Sequence, residues 1–568
     1  MLRKLVIAAV LALVPAAPAQ AQGSDRSLLM PGVTYTRQVE FTPHGPVVLH
    51  VINAPKPGGL YSLVPLLSND AILGRERVTD MQKKFASTMT TAGVNGDLFN
   101  FRDGHPSGML LRNGILDHAP LRERSSVGIG ADGTLRVDRV TLSGFWKGTG
   151  QRRSLTLNEL PSANGLTLYT PAWGPNTPGV ESVEAVLRPF PAAKPNTDLV
   201  GTVVSISSTT GSTAIPPDGA VLQARGSAAG KLAAEAPLGS ELAIRLTLTP
   251  TWSDVAQALG GGPVIVRDGK PVFRANEGFS TSQLSPRNPR TAIGQRADGR
   301  ILLVAVDGRQ AGYSVGMTNF ELALALMRLG AVTASALDAG GSTTMAFDGQ
   351  LLNKPSDPGG ERLVAEALVV AYTGVYAPSA GVDVLSPNAD GVADVQLLTY
   401  KLVRPSTVQA SLVAPDKTTR PVDAGQRAPG IYRYPWAGSN EPEGQWRFTV
   451  TATDDQGVTS TADRLFEVNE TLGGLSVSPA ALRLGRQRLT GSVAVAHPAR
   501  LSVTVETVSG IVLRVLARQP VQAGTFAFSW NGRNGANRLA ASGRLQVHAA
   551  ATNELGRVDL YAPFTARR

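Results

Sequence analysis

The chain has 568 residues, a formal net charge of +10 and no cysteine, which excludes disulfides, thiolate metal sites and cysteine nucleophiles. Hydrophobic residues make up 42% and charged residues 17%, enough to build packed cores and to exclude wholesale disorder. The six histidines lack the i, i+4 spacing of a helical zinc motif, and the basic residues form no run of five, which argues against a nucleic-acid groove.

At about 100–200 residues per domain, this length predicts three or four domains. From the N-terminus, Arg3 and Lys4, a short apolar run over residues 5–14 and Ala19-Gln20-Ala21 read as a secretory signal peptide, residues 1–21. The apolar run is shorter than the ~20 residues of a membrane span, and no later segment is apolar for about 18 residues. A secreted or cell-envelope-associated protein, with no membrane span after cleavage, is therefore expected.

Residues 22–376 mix short strands (47–52) with Pro/Gly turns and a helix-like stretch over 78–89. Strands and Gly-rich turns continue to about residue 310. One helix is strongly written: Thr318-Asn319-Phe320-Glu321 has capping-box spacing, 322–329 is apolar, and Gly330 closes it. Strand-like runs flank it at 301–306 and 332–337, and another follows at 363–371. After residue 376 no convincing helix remains, and period-2 strands alternate with turns. The predicted fold class is an α+β catalytic domain with mixed sheets, followed by two all-β Ig-like sandwich domains at 377–471 and 472–568.

Two motifs mislead. Gly128-Ile129-Gly130-Ala131-Asp132-Gly133 matches the dinucleotide fingerprint, but a strand and not a helix follows it. Without a helix N-terminus nothing holds a pyrophosphate, so a hairpin is expected. Gly312-Tyr313-Ser314-Val315-Gly316 matches the hydrolase nucleophile elbow, yet five residues separate it from the preceding strand, and the next histidine is His497 in another domain. A serine esterase is not expected.

Four Gly-flanked polar clusters do point to chemistry. They are Val94-Asn95-Gly96-Asp97-Leu98-Phe99-Asn100; Gly260-Gly261-Gly262-Pro263; Arg287-Asn288-Pro289-Arg290, leading to Val306-Asp307-Gly308-Arg309; and Leu337-Asp338-Ala339-Gly340-Gly341-Ser342-Thr343-Thr344. Asp338 ends an apolar strand, and the glycines after it permit close approach of backbone to a ligand. Ser342, Thr343 and Thr344 offer hydroxyls and N–H groups to an anionic oxygen. Each residue also has a structural reading. Asp338 could cap its turn, Arg290 could form an ion pair, and Asn95, Asp97 and Asp307 could be turn formers. Glu321 could serve only the cap, and Glu361 and Arg362 could pair with each other.

Together with the Asn319–Gly330 stretch and Asn353 to Leu368, these clusters resemble the phosphodiester glycosidase family over residues 90–371. That family includes the lysosomal enzyme that removes N-acetylglucosamine from a sugar phosphodiester. The resemblance implies hydrolysis of a sugar C1–O–phosphate bond in a phosphate-linked glycan or cell-wall polysaccharide. Asp338, Arg290, Asp97 and Asp307 would be catalytic, and Asn95, Gly340, Gly341, Ser342, Thr343, Thr344 and Glu321 substrate-binding. No cofactor is required, and no nucleic acid is expected as a partner. Ala339 departs from the family's glycine at that position. The chemistry is consistent: a carboxylate supports an oxocarbenium-like centre, arginine pairs bidentately with phosphate, and a phosphodiester leaving group needs little general-acid help. The alternative is a non-catalytic surface or exopolysaccharide-binding protein with Ig-like spacer arms.

In the tail, Leu385-Ser386-Pro387-Asn388-Ala389-Asp390-Gly391-Val392-Ala393-Asp394 is similar to the opening of bacterial surface Ig-like repeats. Oxygen donors at Asn388, Asp390 and Asp394 would suit a structural Ca²⁺, with an Asx-turn as the alternative. Trp530-Asn531-Gly532 followed by Ala541-Ser542-Gly543 resembles the Ig-like domain of flagellar hook-capping protein.

Overall fold

The computed structural model describes residues 23–568, so the signal-peptide reading of residues 1–21 lies outside the described residues. Strand accounts for 52% and helix for 7%, so the domain expected as α+β is mostly β, with a few short helices laid on sheets. Contacts divide the chain into two units, built mainly from residues 32–372 and 373–568.

The first unit is organised by three sheets. One runs Val33–Thr42, Gly45–Ala54, Ile301–Val306, Arg290–Arg296, Ala331–Ala336, Val264–Arg267. A second runs Ile115–His118, Leu110–Arg112, Val255–Gly260, Ser125–Gly130, Leu135–Arg139, and a third contains Met345–Phe347, Thr90–Asn95, Glu366–Tyr372 and Tyr61–Leu67. All six residues of Ile301–Val306 are buried, which explains an unbroken apolar run where a half-exposed strand would alternate. The Asn319–Arg328 helix covers one face of the first sheet, setting Leu322, Ala325 and Leu326 against Leu302, Val304 and Val306. Burying each leucine contributes about 2 kcal/mol.

That helix starts where the sequence says. The Thr318 hydroxyl accepts from the Glu321 N–H (3.1 Å), and the Glu321 carboxylate accepts from the Thr318 N–H (2.9 Å). The dinucleotide-like motif is a hairpin between Ser125–Gly130 and Leu135–Arg139, turned at Gly133 with φ 77°. Ser314 is buried, accepts from the Val48 N–H and donates to the Asp307 carbonyl, so it is no exposed nucleophile.

Between the second sheet's Leu135–Arg139 and Val255–Gly260 strands, seven strands over 141–249 close into a barrel. Thr141 pairs with Thr249, joining the ends of the insertion. Its core, with Trp146, Leu168 and Leu222, continues into Met109 and Leu111 of the second sheet. The mixed character expected of the sheets appears in the barrel, where Arg153–Leu157 runs parallel to Leu166–Tyr169.

In the second unit, two pairs of sheets each enclose a core. Gln396–Leu402 and Gly430–Trp436 face a five-stranded sheet around Trp446 and Tyr400. Leu472–Ser478, Leu489–Val495 and Gly524–Trp530 face another around Trp530 and Val547.

Thr318→Ala should cost about 1 kcal/mol of stability, because it leaves both the Glu321 N–H and the cap carboxylate short of a partner. Urea unfolding of the full chain checks this, and an unchanged midpoint would mean that the cap is not holding the helix.

Candidate active site

Ends of the three sheets meet at one place. Asp97 follows the Thr90–Asn95 strand, and Glu366 opens the neighbouring Glu366–Tyr372 strand. Gly260 ends Val255–Gly260, Arg290 opens Arg290–Arg296, and Asp338 follows Ala331–Ala336. Backbone bonds stitch these ends together: Asp338 N–H to Gly96 carbonyl (3.1 Å), Gly96 N–H to Glu366 carbonyl (2.8 Å), and Gly262 N–H to Ala336 carbonyl (3.0 Å). Asn95 holds the Asp338 turn. Its Nδ2 donates to the Asp338 carbonyl (2.9 Å), while its Oδ1 accepts from the Thr291 hydroxyl and the Thr344 N–H.

Three carboxyl groups gather there. Asp338 is half-buried and lines a cavity of about 200 Å³. Burial pushes its carboxyl up to about 6, opposed by the Ser342 hydroxyl, the Ala339 N–H, and the charges of Arg362 and Arg124. Asp97 lies deeper, 2% exposed, and neither of its oxygens has a hydrogen bond of normal geometry. Burial pushes it up to about 7, while the Leu98 and Gly108 N–H groups and Arg124 pull the other way. Glu366 is fully buried: its Oε1 accepts from the Asp97 N–H (3.0 Å), and its Oε2 is without a partner. Burial and the charge of Asp97 raise its pKa well above the usual glutamate range. The two buried groups therefore titrate as a pair that retains a proton at neutral pH.

Three arginines surround these acids. Arg290 lines the cavity, but its guanidinium is largely engaged, donating to the carbonyls of Met317, Gln283, Leu284 and Pro286 at 2.7–3.2 Å. Burial, and then Arg309, pull it down to about 10, so it remains charged at neutral pH. Arg309 lines the same cavity and is exposed; its Nε donates to Asn288 Oδ1 (3.0 Å), which leaves the outer edge of its fork to the cavity. Arg124 stacks on Phe279 at 4.5 Å, with Nε and Nη1 buried and unpartnered.

The other expected residues are placed as follows. Gly340 (φ 70°) lines the cavity, and its N–H donates to the Pro289 carbonyl. Gly341 is bare because a Cβ there would collide with the Arg362–Asp357 ion pair. Ser342 accepts from Arg362 (3.3 Å), whereas Thr343 and Thr344 are buried with unpartnered hydroxyls, off the cavity wall. Asp307 sits in a saturated buried network, accepting from Tyr313, Asn353 and the Lys354 N–H and contacting His50 Nε2 at 2.9 Å. Glu321 is spent on the helix cap and on Arg287. Glu361 and Arg362 do not pair with each other: Glu361 accepts from Thr79, and Arg362 grips Asp357. Ala339 has φ −124°, extended backbone open to any residue, so the departure from glycine there costs nothing.

In the second unit, Asp394 accepts from the Ala389 and Gly391 N–H groups, Asp390 from Val392, and Asn388 from Asp390. This Asx-turn network closes on backbone donors. Asp390 Oδ2 alone is unpartnered.

Sequence reasoning gave no role to Glu366, Arg124 or Arg309, although Arg309 stands in the third polar cluster and Glu366 in the 353–368 stretch. A signal existed for the first, a glutamate inside an otherwise apolar strand, a residue type that is almost never buried without a reason. Nothing local marks Arg124.

The raised pKa values fix a sign. Between the ordinary carboxylate range and about pH 7, the folded state binds more protons at Asp97 than the unfolded state does. The Asp97 contribution to stability falls as pH rises through that window. Asp97→Asn should flatten this dependence, measured as denaturation midpoints at pH 5 and pH 8. A variant whose midpoints change between the two pH values as those of the wild type do would contradict the raised Asp97 carboxyl.

Residues 194–371 match the family model for phosphodiester glycosidase, and residues 480–554 match the model for the FlgD Ig-like domain. The uncharacterized SPβ prophage-derived protein YomE of Bacillus subtilis (strain 168) is 37% identical over 108 residues, 19% of this chain. The match spans only 16% of YomE's own length. A crystal structure of a hypothetical protein from Synechocystis aligns with 60% of this chain and 62% of that one, at 26% identity and a TM-score of 0.51. The catalytic domain of zebrafish N-acetylglucosamine-1-phosphodiester α-N-acetylglucosaminidase aligns with 61% of this chain and 87% of that one, at 15% identity and a TM-score of 0.32, too remote to carry an argument. Asp338, Arg290 and Arg309 lie within the matched segment, whereas Asp97 and Arg124 precede it; the chain carries a phosphodiester glycosidase domain over residues 194–371, followed by a FlgD Ig-like domain over residues 480–554.

Proposed function

We propose that the chain hydrolyses the bond between sugar C1 and the phosphate oxygen of a phosphate-linked glycan in the cell envelope. The observation that carries this reading is the Asp338 carboxyl on the wall of a cavity that also presents Arg290 and Arg309. With its pKa near 6, Asp338 is largely ionised at neutral pH and suited to stabilise an oxocarbenium-like centre or to activate water. Burial keeps Glu366 protonated behind it, which limits the negative charge set against that carboxylate. Arg309 offers its fork to the phosphate, and Arg290 adds a fixed positive charge. The departing phosphodiester is a weak base, so this scheme needs no histidine.

A second cavity, of about 500 Å³, shares Pro263, Phe279, Leu284 and Asn319 with the first and is lined beyond them by Phe273 and Phe320, whose rings meet edge to face. Because Asp338 lines only the first, the sugar belongs there and the alcohol beyond the phosphate extends toward the second. Asn319 lines both and marks the passage between them.

Hydrolysis of a sugar-1-phosphodiester tests the reading. Asp338→Asn should lower kcat by at least about 100-fold, the scale of a lost acid–base or nucleophilic group. Arg309→Lys keeps the charge but loses the fork, so KM should rise. Wild-type kcat/KM should climb as pH passes through about 6, where Asp338 ionises. Near-normal turnover by a folded Asp338→Asn variant would remove that residue from the mechanism.

A further inference from the structure

The last sheet carries a groove of different chemistry, far along the chain from the glycosidase domain. In its strands Ala499–Thr507, Gly543–Asn553 and Gly556–Arg567, Val503, Val505, Val547, Val558 and Leu560 face the core. By alternation, Arg500, Ser502, Thr504, Thr552 and Arg557 point to the opposite face. That face is concave. Thr504 and Glu506 are 6% and 4% exposed although they point away from the core. Register shifts beside them, between Val503/Thr504 and Val505/Glu506, add the local twist that curls the sheet. The hollow measures about 340 Å³.

Three arginines ring it. The register places Arg500, Thr552 and Arg557 side by side on adjacent strands, so the two arginines are roughly 10 Å apart, two interstrand spacings. Arg518, opposite Ser502 on Val512–Val521, closes the third side. The acidic groups nearby are already engaged. Asp559 pairs with Arg557, and Asp559 and Glu506 grip His548 from two sides. Arg500 and Arg518 are exposed and have no carboxylate in ion-pair range among the described residues.

We infer that this groove binds the phosphate groups of an anionic glycan, holding the chain on a polymer through the Ig-like domain. Arginine forks pair bidentately with the two free oxygens of a phosphodiester, and phosphates repeated along a polymer can meet arginines roughly 10 Å apart on adjacent strands. The lining offers one aromatic ring, His548, already stacked on Tyr561 with ring centroids 4.4 Å apart, and not the series of rings on which successive bases stack, which sets a glycan above single-stranded nucleic acid. The inference stands apart from the catalytic reading, since none of these residues belongs to the cavity at Asp338.

The test titrates the full chain with three probes at low and at physiological salt: a glycerol-phosphate oligomer, a polygalacturonate oligomer and a single-stranded oligothymidylate. The phosphate polymer should bind most tightly and weaken with salt. The double variant Arg500→Ser, Arg518→Ser, which breaks no ion pair, should lower its affinity at least about fivefold, the scale of one or two lost charge-assisted bonds. Adding Arg557→Ser should lower it further. A charge-matched control, Arg486→Ser with Arg538→Ser elsewhere in the same domain, should bind as the wild type does. Thermal unfolding confirms that each variant is folded. Equal loss in the control would reduce the effect to net charge and overturn the site. So would unchanged binding by the double variant, tighter binding of the carboxylate or nucleotide probe, or no binding of the phosphate polymer at low salt.

Discussion

A buried carboxyl group with no hydrogen bond of normal geometry sets the geometry of the first unit. Asp97 is packed where three sheets end, against two glycine backbones. A Cβ at Gly108 would lie 2.5 Å from Asp97 Oδ2, and one at Gly260 would overlap it. At Gly96, a Cβ would come within 2.7 Å of Glu366 Cγ. The glycines are therefore required by the acid pair and not merely by the turns. Desolvation this severe is tolerated only because the pair keeps a proton and because Arg124 stands near with unpartnered donors. The consequence reaches the cavity: Asp338, one layer out and hydrogen-bonded, is the carboxyl that ionises first.

Local signals were legible and global closure was not. The 319–328 helix was readable because its cap is written within four residues, and the 125–139 hairpin because Asp132-Gly133 is a turn on its face. The barrel was not. Its strands over 141–249 are short, and closure depends on pairings such as Thr141 with Thr249, more than 100 residues apart. Short strands separated by Pro and Gly turns give the same local pattern whether they end in open sheets or in a barrel. The helix content expected of an α+β domain fell short for a related reason: most apolar runs in this region are strands buried on both faces, which periodicity alone does not distinguish from buried helix.

The site was legible as a set of clusters but not as a division of labour. Gly-flanked acids at strand ends marked Asp97, Asp307 and Asp338 alike. Only the packing separates them, leaving Asp307 saturated by partners, Asp97 sealed behind glycines, and Asp338 on a cavity wall. Arginine roles were harder still. Arg290, preceded by proline, seemed the natural phosphate ligand, yet carbonyls from two loops occupy most of its donors. Arg309 lies beside the same cavity with more of its fork available. Such assignments depend on which carbonyls a guanidinium meets, and those carbonyls come from loops that sequence patterns do not place.

The central claim is that the bond broken lies between carbon and oxygen at the sugar, with Asp338 acting there and arginine holding the phosphate. Hydrolysis of a sugar-1-phosphodiester in ¹⁸O-labelled water, followed by mass spectrometry of both products, reads this directly. The account predicts the label in the C1 hydroxyl of the released sugar and none in the phosphate. Label in the phosphate would show attack at phosphorus, making the protein a phosphodiesterase and contradicting the role assigned to Asp338.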